Sequence, residues 1–354
     1  MFSLKAILIT ALSMLIICGV STVNAATVTD LNKAYVPILA QDAQSQKAAL
    51  RDALRQVMLK LSGDKRVSQH KDYTQLNNNI MQYVTSTQFV SGSNNQMLVM
   101  FNQPVLEQWI KRRGLPLWGA QRPDALLWYI EDTFDSSYRT MMVDEDDFES
   151  VTILKQASFN RGVEFTLPLM DIVDISNVSE IDVWGQFIDL LHTGAQRYNT
   201  QYTVAVKVQQ LAATDWLLQY FIKSDTLLSL QQVTGESKAS VIEQFVDQYA
   251  DHQAQRYALD TARFVANNQL TQQILISGIP DIVAIAEIER YLNSLSIVES
   301  VNLSMQSANK STFDVTLLGQ PIQLHQMLIQ GNVLQRMVDP NDEQLSLEFQ
   351  YRWQ

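Results

Sequence analysis

The chain has 354 residues, with 26 Lys and Arg against 37 Asp and Glu, a formal net charge of −11 and 46% hydrophobic residues. An acidic chain repels phosphate backbones, which excludes nucleic acid as the expected partner, and the ordinary hydrophobic fraction excludes a disordered polymer. Its one cysteine, Cys18, lies in the leading segment, so a chain cleaved behind it has no disulfide or thiol chemistry and relies on an apolar core.

Residues 1–25 read as a secretory signal: Lys5 near the start, an apolar run over residues 6–20, then Val23-Asn24-Ala25 as a small-residue cleavage site. The alternatives are an uncleaved anchor and a lipid on Cys18. The run is shorter than the roughly twenty residues that cross a bilayer, and Ile17 is not the small residue that normally precedes a lipidated cysteine. Cleavage near Ala25 makes the working chain periplasmic. No later stretch is long and apolar enough to be a transmembrane segment.

A first unit spans residues 27–117 and reads as an αβ domain. Residues 31–38 form a strand. Leu50, Leu54, Val57, Met58 and Leu61 recur at helical spacing, with Lys47, Arg51, Asp52, Arg55 and Lys60 on the other face and Gly63 at the C-terminal turn. Residues 83–90 and 97–101 read as strands joined by Ser91-Gly92-Ser93-Asn94-Asn95. A helix starts at Pro104 and Gly114 ends it. Residues 115–122, with Pro116 and Gly119, mark a boundary.

A second unit spans residues 123–268. Residues 125–130 are continuously apolar, as in a strand covered on both faces. Asp144-Glu145-Asp146-Asp147 opens a helix that runs to Arg161, where negative charge suits the dipole. Residues 162–170 are extended and broken by Pro168. Residues 181–198 read as one helix with Val183, Phe187, Leu190 and Leu191 on one side. An antiparallel meander follows: Val204, Val206 and Val208 alternate in one strand, Trp216, Leu218, Tyr220 and Ile222 in the next, and residues 226–232 form the third. Residues 238–266 are helical, with Val241, Phe245, Tyr249 and Phe264 toward a core.

A third unit spans residues 270–354. A strand over 274–278 leads to Asp281, which caps a helix striped by Ile282, Ile285, Ile288, Leu292 and Leu295. Strands over 298–305 and 313–317 flank Ala308-Asn309-Lys310, Pro321 starts a helix that Gly331 ends, and residues 345–353 are the last strand. The order is β-α-β-β-α-β, the ferredoxin-like arrangement. The fold class is therefore α+β in three small modules: an N-terminal αβ unit, a middle α/β unit with an antiparallel meander, and a C-terminal ferredoxin-like unit.

Signals for chemistry are sparse. None of His70, His192, His252 and His325 has a second histidine at metal-binding spacing, so each is assigned to packing or surface, with no metal and no cofactor expected. The chain shows no Gly-x-Ser-x-Gly elbow, no P-loop and no Rossmann glycine pattern after a strand. The run at 144–147 lacks the spacing and glycine of a calcium loop. Asp171 and Asp174 follow Pro168 at the end of an extended segment, where they either line a cleft or cap loop amides. Arg197 and Tyr198 end a helix that feeds a buried strand, and Arg197 either clamps a ligand carboxylate or pairs with Asp171 or Asp174. These four residues are the candidate cleft. Trp128, Trp184 and Trp216 are assigned to cores, and Trp109 and Trp118 to the boundary between the first two units.

Several short motifs occur in a specific order: Lys60-Leu61-Ser62-Gly63, Gly114-Leu115-Pro116 before Arg122-Pro123, Arg161-Gly162 before Leu167-Pro168-Leu169-Met170-Asp171, Asp182-Val183-Trp184-Gly185, and Ala195-Gln196-Arg197-Tyr198. Together they resemble a gammaproteobacterial family of exported proteins known only as a domain of unknown function (the family numbered 2066), over most of the mature chain. Two features depart from that family's pattern: residues 164–167 lack a proline, and Gly194-Ala195-Gln196 stands where an Ala-Ser-Arg-Tyr quartet is expected. The resemblance implies export and no catalytic residue. The middle unit is also loosely similar to modules of envelope lipoproteins that activate peptidoglycan synthases, a likeness of fold only.

The sequence reading is a periplasmic, non-catalytic binding or accessory factor with a protein partner in a cell-envelope assembly. The alternative is a hydrolase of envelope glycans using Asp171 and Asp174 as an acid/base pair. A two-lobed solute-binding protein ranks third, because the modules differ in topology. Oligomeric state is left open.

Overall fold

The computed structural model describes residues 28–40, 42–90, 95–134, 136–143, 149–224, 227–263, 270–307, 309–330, 333–337 and 349–353. The leader with its cleavage site and Cys18, the acidic run at 144–147, Phe264 and Gly331 lie outside these residues. The chain is mixed α/β with three sheets.

The first sheet holds β1 (Lys33–Pro37), β2 (Val84–Val90) and β3 (Gln96–Phe101), in the order β1-β3-β2, all antiparallel. Helix α1 (Ala43–Ser62) packs on it. Asp42 caps α1 by accepting from the Gln44 and Ser45 amides, and Gly63 closes it at φ +70°. A side chain at Gly63 is excluded twice, by that φ and by Ala254 Cβ, which lies 2.4 Å from where a Cβ would sit. Leu50, Leu54, Val57, Met58 and Leu61 are buried as their spacing predicts. Lys60 is not on the polar face assigned to it: it is 1% exposed. Helices α2 (Tyr73–Asn78) and α3 (Gln103–Lys111) complete this region, α3 with Pro104 in its first turn and Asn102 as cap.

The second sheet holds β4 (Ala125–Asp132), β5 (Thr140–Met141), β6 (Tyr202–Ala212), β7 (Asp215–Ser224) and β8 (Leu227–Gly235), in the order β5-β4-β6-β7-β8. Only β4 and β6 run parallel. Strand β4 explains its own composition. Ala125, Leu127 and Tyr129 enter a core roofed by α4 (Glu149–Arg161) and α8 (Lys238–Tyr257). Leu126, Trp128 and Ile130 enter a smaller core on the other face. Three short helices cover that face: α5 (Ile172–Asn177), α6 (Glu180–Trp184) and α7 (Ile188–Ala195).

These short helices correct the sequence reading. The single helix expected over 181–198 is broken at Gly185-Gln186, where Gln186 takes φ +52°. The break rotates α7 relative to α6: Val183 and Leu191 stay buried, while Phe187 and Leu190, expected on the same buried side, are exposed. Residues 163–170 carry no helix, as expected, and α5 follows them in a stretch with no element assigned from sequence, with Asp171 as its N-cap.

The third sheet holds β9 (Leu270–Ser277), β10 (Val298–Ser307), β11 (Lys310–Leu317), β12 (Leu334–Arg336) and β13 (Phe349–Trp353), in the order β10-β11-β9-β13-β12. Helices α9 (Ile282–Ser294) and α10 (Pro321–Gln330) connect it. Asp281 caps α9 as expected, and Ile285, Ile288, Leu292 and Leu295 are buried, but Ile282 is exposed because the stripe runs one turn past the packed contact. Strand β12 is an addition to the expected order, and β13 runs antiparallel to it and parallel to β9. Three residues are too few to show alternation, so β12 left no sequence signal.

Candidate functional site

The structure brings Asp171, Asp174, Arg197 and Tyr198 together. Asp171 Oδ1 accepts from the Val173 and Asp174 amides at 3.0 Å each, which caps α5. The same carboxylate takes a two-pronged grip from Arg197, Nη1 to Oδ1 at 2.6 Å and Nη2 to Oδ2 at 2.8 Å. Arg197 Nη1 also donates to Asp174 Oδ1 at 2.9 Å. Asp174 Oδ2 accepts from the Met170 amide at 3.0 Å and from the Tyr198 hydroxyl. The Tyr198 oxygen in turn accepts from the Leu169 amide at 2.8 Å.

Every oxygen of both carboxylates therefore has a donor from within the chain. The Arg197 guanidinium, first among the causes, holds the Asp171 carboxyl well below its usual range, and the same pairing raises Arg197. Burial, then the bond to Asp174, pushes the Tyr198 hydroxyl up to about 12. A general acid needs a raised carboxyl pKa and an oxygen turned toward substrate. Asp171 and Asp174 form a knot that ties the start of α5 to the end of α7, and the geometry gives the acid/base alternative no support.

The knot produces an inverted helix. In α5 the buried residue is Asp174, 2% exposed, while Ile172 is 84% exposed and Val173 and Ile175 also face solvent. Leu169 before it, Ile181 in α6 and Phe187 after the break are exposed too. Scattered surface apolar residues are ordinary, but a helix with its carboxylate inside and its isoleucines outside is not.

A second cluster gathers Lys60, Arg122 and Arg161-Gly162, motif residues that have no site role assigned from sequence. Arg122 is 2% exposed and sits among carbonyls. Its Nη1 donates to Arg161 O at 3.2 Å and Gly162 O at 2.6 Å, its Nη2 to Lys60 O at 2.6 Å and Trp118 O at 3.0 Å, and its Nε to Gly119 O at 2.9 Å. The guanidinium lies 3.7 Å from the Trp118 ring centroid. It thus satisfies the C-terminal carbonyls of α1 and α4 together, where a cation suits both dipoles. Gly162, at φ +65°, leaves room for it: a Cβ there would lie 2.8 Å from Nη1.

Lys60 lies in the same junction. Its Nζ donates to Lys33 O at 2.8 Å and lies 3.5 Å from the Phe159 ring centroid. Burial, helped by the charge of Arg122 and opposed by Asp30, pushes its ammonium down to about 7. Lys60 lines a cavity of about 290 Å³ with Asp30, Leu31, Ser158 and Phe159. The signal that could have found this cluster is the pairing of two helix-ending glycines, Gly63 and Gly162, with an arginine on the intervening linker.

Trp128 and Trp216 are core residues as expected. Trp184 is half-buried, with the Arg139 guanidinium 3.9 Å from its ring centroid. His192 Nδ1 bonds Thr203 Oγ1 at 2.9 Å, and His325 Nδ1 bonds the Tyr351 hydroxyl at 2.5 Å. Among the described residues no helix is long and apolar enough to cross a membrane.

A family model for a domain of unknown function (DUF8605) matches residues 25–119. The match covers the first sheet with α1–α3 and stops short of Arg122 and the knot. No curated protein matches the chain. One solved structure, described as the crystal structure of an uncharacterized protein, is similar at 11% identity over 38% of this chain and 98% of its own. Its TM-score of 0.16 carries no inference about fold or site.

Proposed function

We propose that this chain is an exported, non-catalytic binding factor for a cell-envelope assembly, and that its protein partner docks on the face made by α5, α6 and the start of α7. The inverted helix α5 carries the reading. Ile172, Val173 and Ile175, with Leu169 and Ile181, offer apolar area whose desolvation favours association by about 25 cal/mol per Å². The knot beneath them fixes the helix, so docking would cost little ordering entropy.

The periplasmic location rests on the leader and on the lack of cysteine after Cys18. The organisation we propose is three modules, residues 27–117, 123–268 and 270–354, the last a ferredoxin-like unit extended by β12.

The test is a photo-crosslinking residue at Ile175, with a control at Arg66 on the first sheet's side of the chain, in cells fractionated after irradiation. The reading expects a discrete adduct with one envelope protein from Ile175, none from Arg66, and all of it in the periplasmic or envelope fraction. An adduct pattern common to both positions, or recovery in the cytosol, would overturn it.

A further inference from the structure

The second sheet ends in β8, and among the described residues no strand pairs with its outer edge. Proteins guard such edges with charge, proline, bulges or brevity. The other edges here are guarded. Strand β1 carries Lys33 and Pro37, and β2 slips register between Val84 and Ser86. Strand β10 slips twice and carries Glu299, and β5 and β12 have two and three residues.

Strand β8 has none of these devices. It reads Leu-Leu-Ser-Leu-Gln-Gln-Val-Thr-Gly, nine residues without charge or proline. It pairs with β7 in unbroken register from Trp216↔Gly235 to Ser224↔Leu227. Leu228 and Leu230 are 50% and 59% exposed. Their register partners, Lys223 and Phe221, place both leucines on the α7 side of the sheet, where Phe221 is buried. The start of α7 is fixed over β7, the neighbouring strand, by Gln186 Nε2 on Gln219 O at 3.2 Å and by Lys223 Nζ against Asp189 Oδ1 at 3.4 Å. Exposed Phe187 and Leu190 flank that anchor on the same side.

We infer that β8 is a self-association edge, on which a second copy of this chain adds its own β8 antiparallel to form a continuous ten-stranded sheet. The occupant follows from the strand's chemistry. A two-fold axis sets identical residues against one another, so a charged edge repels its own copy. This edge carries no charge in a chain of net charge −11. An antiparallel neighbour also continues the β6-β7-β8 meander. A two-fold axis normal to the sheet keeps Leu228, Leu230, Phe187 and Leu190 of both copies on one side, joining them into one apolar strip. The shared edge is about 30 Å long at the usual rise per residue. This goes beyond the docking face on α5 and does not depend on it.

Sedimentation velocity of the full chain across a concentration series, in low and in 0.5 M salt, tests the inference, together with hydrogen exchange at β8. The expected result is a dimer that tightens with salt, because screening weakens repulsion between two acidic copies, and β8 amides that gain protection as concentration rises. Leu230→Lys should weaken the dimer at least tenfold, and Leu228→Lys should do the same should the first variant fold poorly. A monomer throughout the series, a dimer indifferent to both lysines, or β8 exchange independent of concentration would each overturn it.

Discussion

Two arginines each tie two distant helix ends together, by opposite electrostatic means. Arg122 is buried and holds five carbonyl oxygens, balancing its charge with helix dipoles and peptide groups. Arg197 is one-third exposed and holds two carboxylates. The first junction joins α1, the linker and α4 and engages all five N–H donors of Arg122. The second joins α5 to α7 and turns apolar side chains toward solvent. The short motifs of the sequence fall on these two junctions: Lys60 to Gly63, Arg122 and Arg161-Gly162 on one, and Leu169 to Asp171 with Arg197-Tyr198 on the other. They mark where the chain is fastened rather than where it reacts.

The contrast can be broken first at Arg122. Arg122→Met removes all five bonds and strands buried carbonyls, which should cost about 3–5 kcal/mol or prevent folding, read from urea denaturation. Arg122→Lys should not rescue it, because three donors on a point charge cannot reach five oxygens in a plane. The knot should yield less. Asp174→Ala, at a buried carboxylate with three donors, should cost about 2 kcal/mol. Arg197→Ala, at a partly solvated guanidinium, should cost less than Asp174→Ala, and less again in high salt.

Helix existence and burial period were legible in the sequence, and the tie points were not. The unbroken apolar run of β4, the cap at Asp281 and the stop at Gly63 are local signals, and the structure carries all three. Arg122 meets Lys60 and Gly162 across 62 and 40 residues of chain, a separation no local pattern reports. A helical wheel puts Lys60 on the polar face, and the approach of β1 and α4 covers it. The break at Gln186 and the inversion of α5 overturn the rule that apolar positions point inward, so periodicity alone puts Phe187 and Leu190 on the wrong side. Residue type and spacing pick out Asp171, Asp174, Arg197 and Tyr198 and offer the Arg197 pairing as one of two alternatives, but the choice between them and the Tyr198–Asp174 bond are visible only once the chain is folded.

The two junctions also separate by pH. Lys60 titrates near 7 when folded and near 10.5 when unfolded, so the folded state is penalised below pH 7 and gains stability as pH rises from 7 toward 10.5. Lys60→Met should flatten that rise in thermal scans. Asp171 is held below its usual 3.8, so its contribution is present above about pH 4 and is lost as pH falls below that value. Asp171→Asn should remove the acid-side loss and leave the alkaline rise untouched.

The knot turns the isoleucines of α5 outward, where on this reading they serve association rather than packing. The direct measurement is the double variant Ile172→Glu with Ile175→Glu, assayed by urea denaturation and by photo-crosslinking from Ile181. Stability should stay within about 0.5 kcal/mol of the parent chain, and the adduct should be lost. A protein that unfolds several-fold more readily would show that these isoleucines pack, and one that keeps the adduct would show that they do not serve docking.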